Sequence, residues 1–218
     1  MKISIDGPAA SGKTVVGKSV SKMLDLTFLD TGLMYRAATW ICVKNDIDME
    51  NIVATTQIIS STNFEPTSEN GKDAITVNGE TLSQELYKKE INESVSLVAK
   101  IKGVRECLVT QQKIIAQGGS IVMVGRDIGT IVMPDAAPKV FLEASLDVRT
   151  SRRLSETKLS VGDSNLSQIK KNLMMRDQMD SERKESPLRP ANSALLIDTT
   201  KIGIKAVVAT IVAATKTK

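Results

Sequence analysis

The sequence predicts an α/β fold, a five-stranded parallel sheet flanked by helices, and three observations carry that prediction. Short apolar runs at Ile3–Ile5, Thr27–Leu29, Ile121–Val124, Val140–Leu142 and Ala194–Ile197 have the length and near-continuous apolar character of strands buried on both faces. Stretches of helical period lie between and beyond them, which is the alternation that builds parallel sheets. One stretch departs from it: Asn70-Gly71 and Asn78-Gly79 flank the strand-like Ala74–Val77, the mark of successive tight hairpin turns.

The first strand runs directly into Gly7-Pro8-Ala9-Ala10-Ser11-Gly12-Lys13-Thr14, which matches Gly-x4-Gly-Lys-Ser/Thr, and the helical pattern Lys13–Leu24 follows. Strand, glycine-rich loop and helix in that order are the context the pattern requires. Glycines let successive backbone N–H groups converge on phosphate oxygens, and the helix directs its positive end at them. Lys13 is expected at the β- and γ-phosphates of ATP, with Thr14 offering its hydroxyl to the magnesium ion that bridges them. Gly7 to Val15 are therefore the expected ATP-binding residues.

The second strand ends in Asp30-Thr31-Gly32-Leu33-Met34-Tyr35-Arg36 and leads into a helix over Leu33–Lys44, so Tyr35 and Arg36 fall near a sheet edge, where ligands bind. Arg36 suits a phosphate that needs a forked donor. Residues 62–100 read as a small inserted subdomain, antiparallel at its start and too small to fold alone. A helical pattern then covers Glu85–Gln117, with Gly103 the expected break. The later helices are expected at Leu146–Glu156, Leu166–Met179 and Ile202–Ala214. Between the first two of these, the polar, glycine-containing segment Ser155–Asn165 reads as a lid spanning about residues 150–170.

Composition narrows the chemistry. Of 218 residues 41% are apolar and 25% charged, enough for a real core, and a single kinase-sized domain with subdomains is expected. Histidine is absent, which removes Ser-His-Asp and Cys-His nucleophilic sites, and two cysteines without Cys-x-x-Cys spacing suggest neither zinc nor a disulfide framework. A reducing, cytoplasmic setting fits. The net charge of +4 is unaccompanied by the aromatics that stack on bases, since the chain has one Trp, two Tyr and three Phe, so no nucleic-acid partner is expected. No run is long enough to span a bilayer, and Met1–Gly7 lacks the order of a secretory signal.

A phosphate loop alone does not separate kinases from other nucleotide hydrolases. Here Asn-Lys-x-Asp, Asp-x-x-Gly and Leu-Ser-Gly-Gly-Gln are missing, which leaves a small-molecule kinase as the leading class.

Beyond the loop, three blocks resemble the bacterial cytidylate kinases: Asp30 to Arg36; Gly125-Arg126-Asp127-Ile128-Gly129-Thr130-Ile131-Val132-Met133-Pro134-Asp135-Ala136; and Arg176-Asp177-Gln178-Met179-Asp180-Ser181-Glu182-Arg183 with Ser186-Pro187-Leu188. The resemblance covers nearly the whole chain, and the hairpin insertion fits it. It implies a phosphate-loop kinase fold and transfer of the γ-phosphoryl group of ATP to CMP or dCMP. By the same resemblance Ser96, Arg105 and Asp127 surround the cytosine edge, Arg176 and Asp180 hold the ribose, and Arg36, Arg126 and Arg183 hold the acceptor phosphate and the transferring group. Asp30, Thr31 and Tyr35 line the acceptor site; Arg149, Arg152 and Arg153 lie on the ATP side, the last two being the closest family matches; and Lys13, Arg36, Arg126, Asp127 and Arg183 are the catalytic set. A monomer is the expected state.

Val15, Ser193 and the pair Leu86-Tyr87 depart from the family, which has Thr, Asp and Ile-Arg there. Other acceptors (UMP, AMP, shikimate or dephospho-coenzyme A) and a nucleotide-dependent switch are the alternatives. Cytosine presents a donor where uracil presents an acceptor, and a buried polar group left unpaired costs about 1–3 kcal/mol, so tenfold to hundredfold discrimination per group is expected.

Overall fold

The structure is a computed structural model that describes residues 1–158 and 165–216. By internal contacts the chain divides into two compact units, Met1–Phe28 with Gly119–Lys218, and Leu29–Gly118.

The first unit is built on the predicted parallel sheet. Strand β1 (Lys2–Asp6) pairs in parallel with β6 (Ile121–Gly125) on one side and β7 (Lys139–Glu143) on the other, and β7 pairs with β8 (Leu195–Asp198). With β2 (Thr27–Asp30) at the far edge the order is β2-β6-β1-β7-β8. Ile3, Ile5, Val122, Val124, Val140 and Leu142 form the core of the sheet, with Val16 and Val20 of helix α1 (Lys13–Leu24) and Val207, Val208 and Ile211 of α8 (Ile204–Ala214) packed against them. Each such aliphatic side chain, fully buried, contributes about 1.5–3 kcal/mol. A second, smaller cluster joins Ala9 of the loop to Leu146 and Leu154 of α6 (Leu146–Lys158) and to Ile169 and Leu173 of α7 (Leu166–Ser181). The central part of the expected lid, residues 159–164, lies outside the described residues.

In the second unit α2 (Thr31–Lys44) starts two residues earlier than its apolar period suggests, because the Asp30 carboxylate caps it by accepting the Gly32 N–H at 2.9 Å. The insertion is a three-stranded antiparallel sheet, β3 (Phe64–Glu69), β4 (Lys72–Val77) and β5 (Glu80–Leu82). Asn70, Gly71, Asn78 and Gly79 all have positive φ, as two-residue hairpin turns of matching twist demand.

Helix α3 (Ile52–Ser60) was not foreseen, because Ile52, Val53, Thr55, Thr56, Ile58 and Ile59 are β-branched and intrinsically poor helix formers. Asn51 caps it through the Ala54 N–H, and its buried residues Thr55 and Ile59 secure it. The long pattern Glu85–Gln117 divides into a 3-10 turn (Glu85–Tyr87), α4 (Lys89–Ala99) and α5 (Lys102–Gln117), and the break falls at Lys100-Ile101 instead of Gly103. Gly103 sits inside the first turn of α5 for a packing reason: a Cβ there would lie 2.5 Å from Thr56 Cγ2.

Candidate active site

In the first unit the site begins where β1 ends. Gly7 has φ 148°, and any Cβ on it would press into the Leu142 carbonyl oxygen, so only glycine lets the chain turn out of the sheet here. Ala10 (φ 58°) and Gly12 (φ 97°) are also left-handed, and Gly12 caps α1 with no side-chain bond. Ala10 is an observed strain of about 1 kcal/mol or more in a non-glycine residue. Left-handed residues within a loop turn successive N–H groups towards one point, the concavity that suits a polyphosphate.

Lys13 is buried, and its Nζ donates to the Pro8 carbonyl at 2.7 Å and reaches Ser11 Oγ at 3.5 Å. Thr14 is the second residue of α1 and partly exposed, whereas Val15 points largely to solvent, at 51% exposure. Among the described residues no cluster of three acidic, cysteine or histidine side chains could hold a metal by itself. The Thr14 hydroxyl at the start of α1 is a hard oxygen donor that fits magnesium, which commonly takes one or two protein ligands and leaves the rest of its shell to water and substrate phosphates.

Arginines brace the loop from behind. Arg149, buried on α6, donates from Nη1 to the Ala9 carbonyl at 3.3 Å and to Asp177 Oδ2 at 2.6 Å. Arg152 donates to Thr199 Oγ1 (3.0 Å), to the Thr199 carbonyl (2.8 Å) and to the Ala10 carbonyl (3.5 Å). Arg153 pairs with Glu156 at 3.0 Å near the surface. Sequence reasoning named Arg149, Arg152 and Arg153 for the ATP side and missed Thr199. The signal for Thr199 was only its place just past the carboxyl end of a parallel strand, where ligands gather.

Arg126 and Asp127 follow β6. Arg126 Nε donates to Asp180 Oδ2 at 2.8 Å, Arg183 Nη1 lies 3.6 Å from Asp180 Oδ1, and Arg183 Nε donates to the Asp180 carbonyl at 3.3 Å. Burial raises the Asp180 carboxyl, but Arg126, then Arg183 and Arg176, pull it further the other way, so its pKa ends below the ordinary value. Four of the predicted residues, Arg126, Arg176, Asp180 and Arg183, thus form one charged cluster with a net positive balance.

Asp6, the last residue of β1, was not among the predicted site residues although it directly precedes the loop motif. Its carboxylate is 2% exposed and accepts the backbone N–H groups of Ile128 (2.9 Å) and Gly129 (2.8 Å). Burial lifts its pKa to about 6 from 3.8; the two N–H bonds and Lys13 oppose the rise and Asp127 adds to it. The folded chain therefore holds more protons than the unfolded chain between about pH 4 and 6, and Asp6 lowers stability as pH rises through that window, by at most about 3 kcal/mol. In urea unfolding at pH 5 and 7.5, wild type is expected to lose about 1 kcal/mol over this step relative to Asp6→Asn. A difference between the two proteins that does not change with pH would refute this.

In the second unit Asp30 serves as the α2 cap and Thr31 is buried beside it. The two tyrosines each underlie one of the arginines picked from sequence. The Arg36 guanidinium lies 5.1 Å from the Tyr87 ring centroid and that of Arg105 lies 5.3 Å from Tyr35. Arg36 Nη1 also donates to the Leu86 carbonyl (3.0 Å) and to Asn92 Oδ1 (2.8 Å), while Arg105 Nη1 reaches the Ala99 carbonyl (3.3 Å). Ser96 is half-buried on α4. Asn92 and Tyr87 gave no separate signal in the sequence, because Asn92 sits in a helical pattern and Tyr87 registered only as a departure.

The family model described as cytidylate kinase matches residues 3–217. A cytidylate kinase of Bacillus velezensis is 43% identical over 204 residues, covering 94% of this chain and 91% of the relative. One from Geobacillus sp. (strain WCH70) is 41% identical over 208 residues, covering 95% and 93%. Among solved structures a shikimate kinase from Bacteroides thetaiotaomicron aligns with TM-score 0.51 at 14% identity, covering 99% of this chain and 98% of that one, a likeness of fold alone. Among the described residues no helix is long and apolar enough to cross a membrane.

Proposed function

We infer that this chain, which belongs to the cytidylate kinase family, transfers the γ-phosphoryl group of ATP to CMP and dCMP, giving CDP or dCDP and ADP. The observation that carries the reading is the family match over residues 3–217. The glycine-rich loop at the end of β1 and the Arg126–Asp180–Arg183 cluster support it.

The acceptor is a phosphate monoester whose second pKa is near 6, so at neutral pH its oxygen is already a nucleophile and the missing histidine is no obstacle. What the protein supplies is alignment and neutralisation of the charge on the equatorial oxygens. In this reading the loop N–H groups and Lys13 hold the donor phosphates, and Arg149 and Arg152 keep the loop in shape from behind. Thr14 would hold magnesium, which would supply positive charge beside the transferring phosphates. Arg36, Arg126 and Arg183 hold the acceptor phosphate. Ser96, Arg105 and Asp127 read the cytosine edge, and Arg176 and Asp180 orient the ribose. A cytoplasmic monomer belongs to the same reading.

Magnesium- and ATP-dependent ADP release, with CMP, dCMP, UMP, AMP and GMP offered separately, tests it. CMP is expected to stimulate most strongly, with dCMP close behind and UMP weaker by tenfold or more. Preference for another monophosphate would discard the roles of Ser96, Arg105 and Asp127, and no stimulation by any would discard the kinase.

A further inference from the structure

We propose that Asp6 is a positioning residue, one that fixes the Arg126–Asp127 segment against the phosphate loop by accepting two backbone hydrogen bonds from the turn that follows it. The inference rests on the reading above for what Arg126 and Asp127 do.

Residues Ile128–Val132 form a single turn of π-helix, closed by Val132 N–H and Met133 N–H donating to the carbonyls of Asp127 and Ile128 at 3.3 and 2.7 Å, with Ile131 N–H also donating to the Asp127 carbonyl at 2.8 Å. The first N–H groups of any helical turn have no partner within it. Those of Ile128 and Gly129 are taken by the two oxygens of one carboxylate, Oδ1 and Oδ2 of Asp6, across 122 and 123 residues of sequence. Closeness of approach is part of the arrangement, since a Cβ on Gly129 would lie 2.8 Å from Ser4 Oγ and 3.4 Å from Asp6 Oδ2.

A two-point attachment removes both sliding and rotation of the turn. Asp6 is also the residue immediately before Gly7, so the same residue that starts the phosphate loop sets where Arg126 and Asp127 leave β6. The charged groups facing it are Asp127 and Lys13, one from each element it joins. A buried carboxylate beside another acid is an expensive way to satisfy two N–H groups, and asparagine could satisfy only one while opposing its amide to the other.

The test is steady-state kinetics of full-length Asp6→Asn and wild type from pH 5 to 8. At pH 7.5 the variant is expected to show kcat/KM for CMP lowered about 10- to 100-fold, as a misplacement of about 1 Å would give, with ADP affinity by calorimetry within threefold of wild type. Below pH 6, log kcat/KM of wild type should fall with a slope approaching two, from Asp6 and the acceptor phosphate together, and that of the variant with a slope of one. A variant with wild-type kcat/KM overturns the proposal, and so does one whose ADP affinity falls as far as its turnover, which marks general collapse of the loop. If Asp6→Asn does not fold, Asp6→Glu decides: it keeps the charge but displaces the two acceptor oxygens, so kcat/KM for CMP is expected to fall about tenfold or more with ADP affinity within threefold, and wild-type kcat/KM overturns the proposal. Wild-type turnover of CMP judges the functional reading; the ratio of variant to wild type, taken with whichever monophosphate stimulates, judges this one.

Discussion

Lys13→Ala is expected to lower kcat about 10³-fold, equivalent to about 4 kcal/mol of transition-state stabilisation, while changing the KM for CMP by less than threefold. The Lys13 side chain is buried and its Nζ donates to the Pro8 carbonyl at 2.7 Å, which keeps the ammonium against the phosphate loop, where charge on the transferring group would develop. Among the described residues Arg149 is tied to the Ala9 carbonyl and Asp177, and Arg152 to the Ala10 carbonyl and Thr199. ADP release at saturating ATP and CMP measures the effect, and a variant retaining more than a tenth of wild-type turnover would remove Lys13 from the chemistry.

Asp180→Ala acts differently. Its carboxylate is the counter-charge for Arg126 at 2.8 Å and Arg183 at 3.6 Å, with side-chain exposures of 13, 21 and 7% for Asp180, Arg126 and Arg183. Removing it leaves the arginines repelling one another in a largely dry environment, so a loss of about 3 kcal/mol in unfolding free energy is expected, at the low end for a buried pair because Arg126 keeps some solvent. The KM for CMP is expected to rise about 100-fold, with kcat falling less, as the ribose and phosphate contacts lose their alignment. Urea unfolding and initial rates over a range of CMP concentrations measure both. Equal loss of CMP affinity in Lys13→Ala and Asp180→Ala would sink the separation of roles between donor and acceptor residues.

The wild-type pairing also sets a pH response opposite in sign to that of Asp6. Asp180 has its pKa depressed, so its stabilising contribution is present above the unfolded carboxylate range and is lost as pH falls through the folded value.

What the sequence determined was whatever depends on local pattern. Parallel strands buried on both faces are largely apolar, so β1, β6 and β7 were legible from runs of three or four residues each. Asn-Gly pairs permit positive φ, so the hairpins were legible too. The phosphate loop was legible because its spacing is a backbone requirement in its own right. Tertiary structure alone decided the rest. A run of β-branched residues became α3 because burial of Thr55 and Ile59 outweighed weak propensity, and Gly103 entered a helix because Thr56 left no room for a Cβ. It also decided that Asp6 meets Ile128 and Gly129, that Asp180 gathers Arg126 and Arg183, and that Tyr87 and Asn92 hold Arg36. Each is a contact between residues about 50 or more positions apart or, for Asp180 with Arg183, a pair whose significance depends on such a contact. No local periodicity records them, because what fixes them is the burial of charge that must find a partner wherever the fold brings one.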